Sequence, residues 1–184
     1  LGCFSFYGAK VTTSGEGGAI VTDDKNLCEK LKQIRNHGQS KNSLITRLGL
    51  NLRLSEINAA VAKIQMKKLS LFLMQRKRNA KILTELLQNC DVILPKQRKN
   101  ETFNWYLYTI AHKNRNKIMK KLNSLGIGAT VYYSPPIHKT PYYKTKKSLA
   151  NTEWAASHVL SLPIHPKVRR LDLEKMQRIL GNRN

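Results

Sequence analysis

The sequence predicts an α/β chain in two lobes: a strand–loop–strand opening followed by helices over residues 1–69, and a small α+β lobe over 70–184. Three observations predict it. Short aromatic or β-branched stretches flank a glycine cluster near the start, a helical pattern runs unusually far in the middle, and strand and helix patterns alternate beyond Pro95.

In order, residues 3–7 (CFSFY) and 19–22 (AIVT) have strand composition and bracket the turn at Gly15, Gly17 and Gly18. Asp23 and Asp24 suit a helix start, and Leu27, Leu31 and Ile34 recur at helical spacing until Gly38 stops the pattern. Residues 39–51 are polar and glycine-punctuated, which predicts a loop. Ser55 can cap a helix whose stripe is Ile57, Ala60, Val61 and Ile64, continuing to Leu87 with a change of phase near residues 69–74. A run this long commonly bridges two lobes, and the phase change predicts a kink or a new packing partner. Beyond it, the spacing predicts a strand over 105–110, a helix over 115–125 closed by Gly126, a strand over 129–133, and helices over 151–160 and 171–180. Pro135, Pro136, Pro163 and Pro166 hold extended connections.

The net charge is +22, from 33 Lys and Arg against 11 Asp and Glu, which favours an anionic partner without naming one. Basic clusters are scattered, at Lys96/Arg98/Lys99, Lys144/Lys146/Lys147 and Lys167/Arg169/Arg170. No zinc-finger spacing or basic heptad region accompanies them, so nucleic acid is not the expected partner. No apolar run approaches the ~20 residues that cross a bilayer, and the opening stretch carries Lys10 and ends in glycines, unlike a secretory signal. Three widely spaced cysteines, Cys3, Cys28 and Cys90, support neither a disulfide framework nor a metal site, and a cytoplasmic setting fits them.

Lys10 carries the chemical interest. A lysine becomes nucleophilic when desolvation or a nearby cation eases loss of its proton. Lys10 follows an apolar strand and precedes a glycine turn whose backbone can approach a bulky group closely.

The run SFYGAK, with GEGG at residues 15–18, resembles the coenzyme-lysine segment of the DegT/DnrJ-type (StrS-like) sugar aminotransferases, which depend on pyridoxal 5'-phosphate. RNHG at 35–38, GLNLRLSEINAA at 49–60, WYLY at 105–108, YSPPIH at 133–138 and LPIHP at 162–166 are similar to landmarks of that family in the same order. The resemblance implies the C-terminal part of a fold type I, aspartate-aminotransferase-like transferase: the end of its large coenzyme-binding domain over 1–69 and its small domain over 70–184. It implies that Lys10 condenses with the coenzyme aldehyde, that Ser5 bonds the coenzyme phosphate, and that Asn51 reaches that phosphate across a homodimer interface. Lysine rather than histidine at position 10 points to amino transfer instead of dehydration. Tyr133, His138, Trp105 and Arg53 match positions that approach the substrate, a keto-sugar on a nucleoside diphosphate, aminated at the expense of an amino acid such as glutamate. Polysaccharide biosynthesis is the implied setting. Leu50 and Leu52 replace usual aromatics and Tyr106 a common histidine, so the sugar stays open.

In the family roughly half the fold precedes the lysine, including an aspartate for the pyridine nitrogen. Here nine residues precede it, none acidic. The expectation is therefore a C-terminal half, incomplete and inactive alone; a partner chain bringing the other half, or a non-catalytic basic binding module, are the alternatives.

Overall fold

The computed structural model describes residues 1–143 and 145–181, so Lys144, one member of the predicted basic clusters, lies outside the described residues. The chain divides into two compact units, Leu1–Ser70 and Leu71–Asn184.

In the first unit β1 (Gly2–Ser5) pairs antiparallel with β2 (Gly18–Val21), in the register Gly2↔Val21 to Ser5↔Gly18. The first strand stops two residues before the predicted end because Phe6 leaves the ladder: its N–H donates to Gly17 O at 2.9 Å, while its carbonyl accepts from Ser14 N at 2.9 Å and from Thr13 Oγ1 at 2.9 Å. α1 (Lys25–Arg35) starts at Asp24, whose carboxylate accepts from Leu27 N at 3.0 Å. α2 (Glu56–Leu87) is capped by Ser55, whose Oγ accepts from Asn58 N at 3.2 Å. It is one continuous helix of 32 residues, and the boundary between the units falls within it, at Ser70.

The second unit has its own core. The last turns of α2 contribute Ala80, Leu83 and Leu87, and Tyr108 and Ile110 come from β3 (Tyr108–Ala111). Leu122 comes from α3 (Arg115–Ser124), Leu160 and Leu162 from β4 (Val159–Leu162), and Leu173, Met176 and Leu180 from α5 (Arg170–Gly181). β3 and β4 pair antiparallel from Tyr108↔Leu162 to Ala111↔Val159. Single bridges extend this ribbon on both sides, Ile93↔Ala111 and Thr130↔Ser161.

Three expectations are corrected here. The strand predicted over 105–110 begins only at Tyr108, because Trp105 has φ 51° and cannot continue a ladder. The strand predicted over 129–133 reduces to the one bridge at Thr130, after which Tyr132 and Tyr133 turn out to solvent. The helix predicted over 151–160 is α4 (Ala150–His158), and its expected last turn is the start of β4. Val159 and Leu160 match a helical stripe and a buried strand equally well, and backbone pairing with β3 decides for the strand.

Candidate functional site

The candidate residues fall into two groups, one in each unit. In the first unit, Ser5 ends β1 and is exposed, and its Oγ accepts from Tyr7 N at 3.3 Å. Accepting that bond leaves the hydroxyl proton to donate outward. The chain then turns through residues 7–10, where Lys10 N donates to Tyr7 O at 3.0 Å, and the Lys10 side chain is half-buried.

The loop beyond Lys10 is braced from within. Ser14 is buried, and its hydroxyl donates to Glu16 O at 2.7 Å. Gly17 has φ 149°, and a side-chain carbon there would come within 2.7 Å of Ser14 Oγ and 2.8 Å of Leu54 Cδ1. Asn58, on the first turn of α2, donates from Nδ2 to Glu16 O at 3.1 Å. The glycines let the loop pass this close to Leu54, so helix α2 holds the far side of the Lys10 loop.

Two of the quoted motifs meet backbone to backbone. His37 N donates to Leu50 O at 3.1 Å, Leu50 N to Ile34 O at 2.8 Å, and Leu52 N to Arg35 O at 2.9 Å. Gly38, at φ 74°, and Gly49 are pressed together so closely that a Cβ on Gly38 would lie 1.8 Å from Arg47 O. RNHG and GLNLR are therefore one structural piece, and Asn51 is its exposed end, bridged to Asn36. The Asn51 Oδ1 accepts from Arg53 Nε at 3.1 Å, which leaves the amide N–H groups of Asn51 facing outward as donors.

In the second unit, Trp105 is half-buried, stacked on Tyr108 with ring centres 5.8 Å apart and edge-on to Phe103 at 5.1 Å. Buried Arg76 donates from Nη1 to the carbonyls of Trp105 at 3.2 Å and Tyr106 at 3.1 Å, fixing the left-handed turn of this segment. Tyr133 is 72% exposed. His138 stands in a short 3-10 turn over Ile137–Lys139 with its ring only 11% exposed, and its Nε2 donates to Glu153 Oε1 at 3.1 Å. The sequence reading missed Glu153, although it is the one acid within a long basic stretch and sits four residues after the start signal of α4. Its carboxyl is pulled down to about 2, first by the backbone N–H of Leu149, then by His138 and Lys139.

A cavity of about 690 Å³ in the second unit is bordered by Asn89, His112, Lys117 and Leu180 and contains none of the candidate residues; one of about 400 Å³ is lined by residues 102–107 and includes Trp105. Among the described residues no group of three His, Cys, Asp or Glu side chains could hold a metal ion, and no helix is long and apolar enough to cross a membrane.

Solved structures of similar fold include aminotransferases. The chain superimposes on Streptomyces venezuelae DesV, solved in complex with a ketimine intermediate, with TM-score 0.93 and 30% identity over 99% of this chain and 52% of that one. Helicobacter pylori PseC, an aminotransferase involved in the biosynthesis of pseudoaminic acid, gives TM-score 0.88 and 28% identity over 97% of this chain and 51% of that one. The model of the DegT/DnrJ/EryC1/StrS aminotransferase family matches residues 1–181, and the chain belongs to that family. Among curated relatives, the dTDP-3-amino-3,4,6-trideoxy-alpha-D-glucose transaminase of Streptomyces venezuelae is 33% identical over 92% of this chain and 46% of its own length. The UDP-N-acetyl-3-dehydro-alpha-D-glucosamine 3-aminotransferase of Acidithiobacillus ferrooxidans is 30% identical over 98% of this chain and 50% of its own length. The chain thus spans about half the length of the curated relatives it matches.

Proposed function

We propose that this chain forms part of a pyridoxal-phosphate-dependent aminotransferase that moves an amino group from an amino acid, glutamate in the simplest case, to a keto-sugar carried on a nucleoside diphosphate. Residues 1–69 are assigned to the large, coenzyme-binding domain and 70–184 to the small domain. The observation that carries the reading is the braced Lys10 loop beside Ser5, in a chain that matches the family model from end to end of its described residues.

The donor set fits the coenzyme: one half-buried amine, one outward hydroxyl proton and one exposed carboxamide. When bound, pyridoxal phosphate supplies an aldehyde that takes up the amino group and a ring that spreads the resulting charge. Lys10 Nζ would hold the coenzyme through its aldehyde, and its amine would carry the proton that amino-group transfer gives up and takes back. Ser5 donates its hydroxyl proton to the phosphate. Asn51 donates from Nδ2 to the phosphate held by a second protomer, which makes the assembly a homodimer. Arg53 neutralises the sugar nucleotide diphosphate, and Trp105, Tyr133 and His138 contact the sugar nucleotide. The setting is the cytoplasm, in synthesis of a polysaccharide precursor.

Borohydride reduction after incubation with pyridoxal phosphate tests this. One coenzyme per chain, mapped to the peptide containing Lys10 and lost in Lys10→Ala, is the expected result. Labelling spread evenly over surface lysines, and unchanged in Lys10→Ala, overturns it.

A further inference from the structure

One carboxylate oxygen in the second unit gathers four donors. Glu153 Oε1 accepts from Leu149 N at 3.0 Å, His138 Nε2 at 3.1 Å, Lys139 Nζ at 3.3 Å and Ser148 Oγ at 3.5 Å. These donors do not belong to one element. Leu149 and Ser148 lead into α4, whereas His138 and Lys139 lie in the 3-10 turn after Pro135 and Pro136. Between them, Tyr142 and Tyr143 are strongly exposed, and Thr140 N donates to Ile137 O at 3.0 Å and Thr145 N to His138 O at 3.2 Å.

Glu153 also has the place of an ordinary helix-start acid, and a bond to Leu149 N alone would be a cap. The contacts to His138 and Lys139 are not explained by capping, since both residues lie ten or more positions before the helix. A carboxylate can only accept, so the Nε2 of His138 must carry a hydrogen, and in the neutral ring Nδ1 is then left as an acceptor. Ring orientation and tautomer are both fixed by the same bond.

The geometry points to Glu153 as a positioning residue: it ties the Ile137–Lys139 turn to α4 and holds the imidazole of His138 in one orientation with Nε2 as the donor. It acts through His138 and Lys139 rather than on substrate. The consequence for sugar-nucleotide contact rests on the aminotransferase reading above; the tie itself does not.

Two measurements on the full chain, neither using coenzyme or substrate, test it. Low-temperature proton NMR should give a downfield imidazole N–H resonance that disappears in His138→Gln and in Glu153→Ala and persists in Lys139→Met. Tryptic cleavage after Lys146 and Lys147 should be about tenfold faster in Glu153→Ala, as expected for losing several local hydrogen bonds. Glu153→Gln, which keeps an acceptor at Oε1, should lie between Glu153→Ala and the natural protein. A resonance that survives Glu153→Ala, or is missing from the natural protein, overturns the assignment, as does a cleavage rate unchanged by Glu153→Ala. A helix cap alone would leave the imidazole resonance in place. Failure of coenzyme trapping at Lys10 would sink the aminotransferase reading without touching either result.

Discussion

The two units bury their apolar residues very differently. Every buried hydrophobic side chain described lies at or beyond Ala80, within the second unit. In the first, Ser14 and Gly38 are the fully buried positions, while Phe4, Ile20, Val21, Leu48, Ile57 and Ile64 are exposed. Burial of apolar surface is the main term favouring a fold. The second unit is therefore held by a core, and the first by close backbone contacts between its glycine-containing motifs. The candidate coenzyme residues Ser5, Lys10 and Asn51 all stand on the unit without a core.

Gly38→Ala should break this comparison most sharply. Its Cβ would meet Arg47 O at 1.8 Å, at a backbone angle of φ 74° that alanine rarely adopts, so the RNHG–GLNLR pairing cannot form. The expected outcome is loss of borohydride-trapped coenzyme, with hydrogen exchange of β3 and β4 left as in the natural protein. Loss of protection in both units together would show that they do not differ as described.

Core truncation sharpens the same contrast from the other side. Leu83→Ala, at a site with no exposure, should cost about 3 kcal/mol in denaturant unfolding. Ile57→Ala, where the side chain is 77% exposed, should change stability by less than about 0.5 kcal/mol. Equal losses would mean that the apolar face of α2 around Ile57 is covered in solution.

What the sequence made legible follows the same division. Periodicity located the long helices described, since Leu27, Leu31 and Ile34, or Ile57, Ala60, Val61 and Ile64, repeat with the turn of a helix whatever covers them. Short strands were harder. β4 is four residues long and runs straight on from α4, so its identity depends on pairing with β3, a partner about fifty residues away in sequence. Lys10, Ser5 and Asn51 could be put forward as candidates because each belongs to a contiguous motif. Glu153 was not, because its significance comes from His138 and Lys139 converging on it across a loop, and no spacing rule encodes that.

Asn79 offers a test of intermediate size. It is buried on α2, and its Nδ2 lies within hydrogen-bond reach of three carbonyls, Ile164 at 3.4 Å, His165 at 3.2 Å and Val168 at 3.3 Å. It ties the LPIHP segment after β4 to the core helix. Asn79→Ala leaves those carbonyls short of a donor and should cost about 2 kcal/mol. Asn79→Asp, which removes the donor and buries a charge, should cost more; a milder effect from aspartate would mean that water already serves these carbonyls.

The smallest expected effect lies at the start of α1. Asp24 accepts from Leu27 N at 3.0 Å, and α1 buries none of its residues fully, so little else fixes where the helix begins. Asp24→Ala should cost about 1 kcal/mol locally, seen as faster amide exchange at Leu27 and Cys28. Asp24→Asn retains the acceptor and should restore most of the protection. Because the first unit lacks a core to resist fraying, this loss should spread along α1. At the start of α5, where Asp172 Oδ2 accepts from Arg169 N at 2.9 Å and Leu173 and Met176 are buried, loss of the bond should stay within the first turn. If both helices fray alike, burial is not what separates the two units.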